Sequence, residues 1–177
     1  MAKLEITVAS LGERSVLTNL MQFYVHDFSE FWFDRDDGDL QDDGQFGDYP
    51  LDAYWSEPGH VPLLLRTAAG RLVGFVLVNN EGHSGEPTDR NIAEFFIARK
   101  YRRGGYGTAA AHGVFDRYPG HWEAAVARRN LGALQFWRKA IASHPRVTEI
   151  REHDFSTPQW NGPIIRFRIR EPNSALG

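Results

Sequence analysis

From Leu4 to Ala9 apolar and polar residues alternate, which is the period of a half-buried strand. Ser10-Leu11-Gly12-Glu13 then reads as a capping box. Leu17, Leu20, Met21, Tyr24, Phe28 and Phe31 recur at helical spacing, so a helix is predicted to run to about Phe33. Asp34 to Pro50 is loop, followed by a short helical turn near Asp52 to Trp55. Val61–Thr67 and Arg71–Asn79, joined by Ala68-Ala69-Gly70, read as a hairpin, and Glu81 to Arg90 as a polar loop. Asn91–Ala98 is apolar on both faces, as a central strand should be. Tyr106–Arg117 is helical, with Ala110, Ala111, Val114 and Phe115 inward, and Tyr118-Pro119-Gly120 ends it. A strand over His121–Ala127 follows. Asn130 then caps a helix from Leu131 to about Ile141 with Ala133, Leu134, Trp137 and Ile141 inward. Val147–Asp154 and Ile164–Arg170 close the chain around a turn holding Pro158, Asn161, Gly162 and Pro163. The predicted class is α/β, a mixed sheet of six to seven strands with helices on both faces.

At 177 residues, without repeats or a linker, the chain fits one domain, 1–177. Its 42% apolar content is that of a globular protein. The absence of cysteine removes disulfides and thiolate chemistry. With no run of membrane-spanning length and no signal-peptide core at the start, a cytoplasmic, non-membrane protein is expected. The net charge of −3 conceals an asymmetry. Between Asp27 and Glu57 lie eleven acids against Arg35 alone, a local charge of −10, while the rest of the chain holds 12 acids and 19 bases. That window interleaves its acids with Phe28, Phe31, Trp32, Phe33, Phe46, Tyr49, Tyr54 and Trp55, and charge beside aromatic faces suits amines. The basic residues form no stripe with aromatics, so nucleic-acid binding is not expected. The seven histidines lack metal-ligand spacing to carboxylates, so no metal site is expected, and His112 and His121 read as surface residues.

Chemistry concentrates in Arg102-Arg103-Gly104-Gly105-Tyr106-Gly107-Thr108, between a strand and a helix. A glycine-rich turn that opens a helix aims free amides at an anion, and arginines at its mouth add phosphate donors. No Lys follows the glycines, which excludes a Walker loop. Gly105-Tyr106-Gly107-Thr108-Ala109-Ala110 satisfies a dinucleotide fingerprint, with Glu123 at a tempting distance. However, Arg99-Lys100-Tyr101-Arg102-Arg103 intervenes after its strand, Glu123 begins rather than ends the next strand, and too little βα alternation follows.

The form [RQ]-x-x-G-x-[GA] in Arg102 to Gly107, after a strand and Lys100-Tyr101, resembles motif A of the GCN5-related N-acetyltransferases, the GNAT superfamily. Asn130-Leu131-Gly132-Ala133-Leu134-Gln135-Phe136-Trp137 resembles that family's second signature, N-x-x-A-x-x-F-[YW]. The two signatures and the element order cover residues 4 to 170. The resemblance implies a GNAT-like acyl-CoA acyltransferase fold and acetyl-CoA as co-substrate, with no metal. The cofactor half would be residues 91–141, with acetyl-CoA between two splayed parallel strands and its pyrophosphate on the amides of Arg102, Arg103, Gly104, Gly105, Tyr106, Gly107 and Thr108. It also implies that the pantetheine arm bonds main chain around Phe96, Ile97 and Ala98, with the Ile97 amide as oxyanion donor. Asn130 would lie near the pantetheine, although a plain helix cap accounts for it equally. Trp137 replaces the tyrosine that often protonates the departing thiolate. An indole cannot do so, and Trp137 is expected against the CoA arm or the core.

An alkylammonium must lose a proton before it attacks a thioester. Glu94, a carboxylate in an apolar strand, is the candidate base, and a structural carboxylate with water as the base is the alternative. Tyr24 and Tyr106 are unranked candidates for the acid. The acidic segment 26–57 falls where the family builds its acceptor side, so a cationic small amine or a lysine side chain is the expected acceptor. A non-catalytic acyl-CoA-binding module and a transferase for another acyl-CoA, such as succinyl-CoA, are the alternatives. A homodimer is the assembly allowed for.

Overall fold

In the computed structural model residues 3–31 and 38–172 are described; the expected helix end at Phe33, Trp32 and the acids Asp34, Asp36 and Asp37 lie outside them. Seven strands form one sheet: β1 (Leu4–Val8), β2 (Val61–Thr67), β3 (Leu72–Asn79), β4 (Arg90–Ile97), β5 (Gly120–Ala125), β6 (Val147–Ser156) and β7 (Asn161–Ile169), in the order β1-β2-β3-β4-β5-β7-β6. Every neighbouring pair is antiparallel except β4–β5. That pair is parallel because a helix, α3 (Tyr106–Arg117), makes the crossover between them. The sheet is mixed, as expected.

Each face carries its own core. Against one lie α3 and α4 (Leu131–Ala142), whose Ala110, Ala111, Val114, Phe115, Trp137 and Ile141 meet Val76, Trp122 and Phe167. Against the other lie α1 (Arg14–Ser29) and α2 (Ala53–Ser56), with Leu17, Met21, Tyr24, Phe46 and Tyr54 on Leu64, Phe75 and Phe96. The capping box forms, with the Ser10 amide donating to Glu13 at 3.0 Å, but it first opens a tight turn over Leu11–Glu13. The helix proper therefore starts at Arg14.

The last strand starts earlier than predicted. Asn161, Gly162 and Pro163 belong to β7, not to the turn. Gly162 sits at φ +146 against the backbone of Val126 and Arg128, where a Cβ would collide, and the Val126 amide donates to the Pro163 carbonyl at 2.9 Å. A glycine here serves close strand approach, not turning. Glu123, fully buried in β5, bonds Arg166 of β7 at 3.0 Å, and Arg166 also donates to Ser84, Thr88 and the Pro87 carbonyl. The 81–89 loop thus closes over a buried ion pair on the sheet face. The acid that the dinucleotide pattern had suggested serves as an internal counter-charge.

Candidate active site

Two features of β4 open the site. Between Leu77↔Glu94 and Val78↔Ile92 the β3–β4 register shifts by one residue, a bulge that brings Ala93 and Glu94 onto the α1 side. On its other edge β4 pairs with β5 only at Arg90↔Trp122 and Asn91↔Glu123, after which the two strands part. The parting leaves a cavity of about 690 Å³, walled by Tyr24 and Phe28 of α1, by Glu94 and Phe95 of β4, by Asn130 and Phe136 of the α4 segment, and by the β6–β7 turn.

Register decides which backbone groups face that gap. The Ala98 amide donates to the Val73 carbonyl at 2.8 Å, so the bonded positions with β3 count back in twos to Phe96 and Glu94. Phe95 and Ile97 are the alternate positions, and their amides point to the side β5 has left. Of the three residues expected to meet the pantetheine, Ile97 faces the gap, while Phe96 and Ala98 have their amides turned to β3. Phe95 was not anticipated. Its apolar flanks gave no hint, because only strand register separates it from Phe96.

Glu94 is held by two phenols. Tyr24 of α1 donates to Oε2 and Tyr49, from the loop before α2, donates to Oε1 at 2.7 Å. Burial pushes the Glu94 carboxyl up to about 7, and the two phenolic hydrogen bonds, which favour the ionised form, offset part of the rise. Both tyrosines are driven well above their ordinary range, first by burial and then by the charge of Glu94. The arrangement is a carboxylate that titrates near neutrality on a cavity wall. Tyr106, by contrast, packs edge-on against Tyr101 at the glycine turn.

That turn has the expected shape with a different division of labour. Gly105 caps α3 at φ +80, a conformation that glycine adopts without strain, and Arg103 precedes it at φ +63. Ala109 is bonded to the Gly105 carbonyl at 3.0 Å, so the preceding amides of the first turn have no partner four residues back. A Cβ on Gly107 would come within 3.1 Å of the Phe136 ring, so this glycine lets α4 approach α3. Gly104, Tyr106 and Thr108 complete the turn. Arg102 is not a free phosphate donor: its guanidinium pairs with Asp27 of α1, donates to the Ile97 carbonyl at 2.7 Å and lies over the Phe96 ring. Arg99 holds the same carboxylate at 2.8 Å. Burial would raise the Asp27 carboxyl, but these arginine hydrogen bonds hold it below the usual carboxylate range. Of the two arginines expected at an anion, Arg102 is thus committed within the protein.

Asn130 caps α4 by accepting from the Ala133 amide at 3.0 Å, and it lies on the cavity wall. Trp137 is buried edge-on against Phe95 and Phe136, with its ring on the same wall. Sequence reading had missed the opposite wall, where His83 stacks on Trp160 with ring centres 4.7 Å apart. It had also missed that folding gathers Glu57, His60 and Glu81, whose ligand atoms lie within 4.8 Å of one another. Their separation along the chain conceals both groupings.

The model of the acetyltransferase (GNAT) family matches residues 17–141, well over half of the chain, and the protein belongs to that family of acetyltransferases. No curated protein matches the sequence. Solved structures share the fold at low identity. An acetyltransferase from Thermus thermophilus is 13% identical, covering 96% of this chain and 100% of its own, with a TM-score of 0.65. An acetyltransferase of the GNAT family from Staphylococcus aureus is 15% identical over 94% of this chain and 99% of its own, TM-score 0.59. A spermidine N-acetyltransferase from Vibrio cholerae, in complex with CoA and spermine, is 13% identical over 94% of this chain and 95% of its own, TM-score 0.58. The expected resemblance and fold class stand.

Proposed function

We propose that this acetyltransferase transfers the acetyl group of acetyl-CoA to the primary amine of a cationic small molecule, with Glu94 as general base. The observation that carries the reading is Glu94 itself, a carboxylate near neutral pKa on the wall of the cavity between the splayed strands. Acetyl-CoA fits what the chain offers. The pyrophosphate goes to the α3 N-terminus, where the dipole and the free amides favour an anion and Arg103 adds charge. The pantetheine runs beside β4 as an added strand, bonding the backbone of Phe95 and the amide of Ile97, whose carbonyl Arg102 already holds. Asn130 and Trp137 flank it. The amide of Ile97 polarises the thioester carbonyl and holds the developing oxyanion.

Glu94 takes the ammonium proton, the amine nitrogen forms a bond to the carbonyl carbon, and the carbon–sulfur bond breaks as the oxyanion collapses. As the amide forms its nitrogen sheds a second proton, which passes through water to the departing thiolate, since Trp137 has none to give. Acceptor recognition rests on the aromatic wall of Tyr24, Phe28, Phe31 and Trp160, whose ring faces attract an ammonium. Among the described residues Glu94 is the carboxylate on that wall, so the described acids of the 27–57 window act from a distance, through their field. The spermine-bound Vibrio cholerae enzyme is one precedent for a cationic amine on this fold.

A thiol-release assay with acetyl-CoA, succinyl-CoA and an amine panel tests the proposal. Amine-dependent release from acetyl-CoA is expected. Binding of acetyl-CoA without release under any amine would instead leave a non-catalytic acyl-CoA module, and preference for succinyl-CoA would reassign the donor. Replacing Asp36, Asp37, Asp42 and Asp43 together by Asn should raise the acceptor KM and spare that of acetyl-CoA; unchanged acceptor kinetics would remove the cationic acceptor.

A further inference from the structure

The acidic window carries aromatics that a solvated loop has no use for, and their placement separates two jobs along one segment. Phe46, Leu51 and Tyr54 are buried against α1 and β3, while Asp42, Asp43, Asp48 and Asp52 stay exposed. The segment is pinned on both sides of Tyr49. Before it, the Gln22 side chain of α1 clasps the Phe46 backbone twice, accepting from the amide at 2.8 Å and donating to the carbonyl at 3.2 Å. After it, Leu51 is 2% exposed and the Trp55 indole donates to the Ala9 carbonyl at 2.9 Å. Between these two anchors the Tyr49 hydroxyl turns inward, onto Oε1 of Glu94.

We infer that Tyr49 is a positioning residue for the acetyl transfer: the clamped loop delivers its hydroxyl to Glu94, fixing which way the carboxylate faces and keeping it available as the base. The inference rests on the reading of Glu94 as that base. With Tyr24 on Oε2 and Tyr49 on Oε1, the carboxylate cannot rotate without breaking a hydrogen bond, and its remaining lone pairs are left for the acceptor amine. A carboxylate accepts both phenolic protons, whereas a carboxylic acid must use its own proton as a donor and forfeits one of these bonds. The groups that bear on Glu94 are Tyr24 of α1, Tyr49 of the loop and Tyr54 of α2, with Glu81 after β3 acting on Tyr49 and Tyr54. The Tyr49 hydrogen bond favours the charged form, so its loss moves the titration of Glu94 to higher pH.

The test is Tyr49→Phe, which keeps the ring and deletes the hydroxyl, compared with the parent enzyme and with Glu94→Gln across pH 5.5 to 9.5. The acidic limb of kcat is expected to move up by roughly 0.5 to 1 pH unit, the difference between a phenolic hydrogen bond to a carboxylate and the same bond to a carboxylic acid. At pH 6 that is a loss of about three- to tenfold, with the acetyl-CoA KM held within about twofold. A uniform loss at every pH with a lowered Tm would make Tyr49 a packing residue and overturn the inference. Infrared difference spectra against Glu94→Gln read the Glu94 carboxyl without turnover, and its midpoint should move with Tyr49→Phe by the same amount. If Glu94→Gln keeps the acidic limb, Glu94 is not the base and the underlying reading fails. If Glu94→Gln abolishes the limb while Tyr49→Phe leaves limb and midpoint in place, the Tyr49 inference alone fails.

Discussion

Replacing Glu94 by Gln removes one negative charge from the wall of the cavity and adds almost no volume. With the carboxyl at about 7, about half of it is ionised at pH 7, roughly a tenth at pH 6 and roughly nine-tenths at pH 8. A positioned base is worth about 10²–10⁴ in rate, so at pH 8 the variant should lose at least about 100-fold in kcat. The loss should shrink as the pH approaches the ordinary amine value of about 10, where free amine no longer needs a base. Stability moves independently. The folded carboxyl lies above its ordinary 4.5, so its contribution to stability is complete below 4.5 and is lost as pH rises through about 7. That rise corresponds to about 3 kcal/mol at most, less because the carboxylate faces a cavity as well as the two phenols. The parent protein should therefore lose stability between pH 5 and 8 that the Gln variant keeps, as chemical denaturation at the two pH values would read. A kcat ratio between parent and variant that stays constant from pH 6 to 9.5 would refute the assignment of Glu94 as the base, whatever the stability curves show.

Other parts of the fold make separate predictions. Arg166→Met leaves the Glu123 carboxylate, 0% exposed, without its cation and with only the amides of His83 and Ser84 and the Ser84 hydroxyl to hold it, and should cost about 3 kcal/mol in urea denaturation. The double variant with Glu123→Leu should recover more than half of that, and no recovery would mean the pair is not the unit that matters. His144 is held below its ordinary range by burial, with Asp116 opposing. The unfolded chain therefore binds more protons below about pH 6.5, so the His144 contribution falls from pH 7 toward pH 5, opposite in sign to that of Glu94 and read in the Glu94→Gln background. His144→Asn should flatten that slope; an unchanged slope assigns it to other groups.

How much of this was legible in the chain depended on distance along it. Helix α3 was legible because Ala110, Ala111, Val114 and Phe115 repeat within one element and glycine and proline bound it. Glu94 stood out because a carboxylate interrupts an apolar strand. The partners of these residues were hidden, since nothing local couples Tyr24 or Tyr49 to a strand 70 or 45 residues away. Arg102 shows the same limit from the other side. Its place beside the glycines suggested a phosphate, and Asp27, 75 residues earlier, claims its guanidinium instead. Similarly, a bulge at Ala93 cannot be read from an apolar run, yet it decides that Glu94 faces the α1 side of the sheet. Local rules reach the elements and the turn chemistry. Tertiary pairing decides which polar groups remain free for a ligand.

Calorimetric titration of acetyl-CoA into the purified protein tests the central claim, that the gap between β4 and β5 and the glycine turn below it form an acetyl-CoA site. One site per chain is predicted, with affinity weakened at least tenfold by Gly105→Val, which puts a β-branched residue at φ +80 under the pyrophosphate. Absence of binding by acetyl-CoA, with NAD or NADP giving saturable heat in its place, would contradict the account.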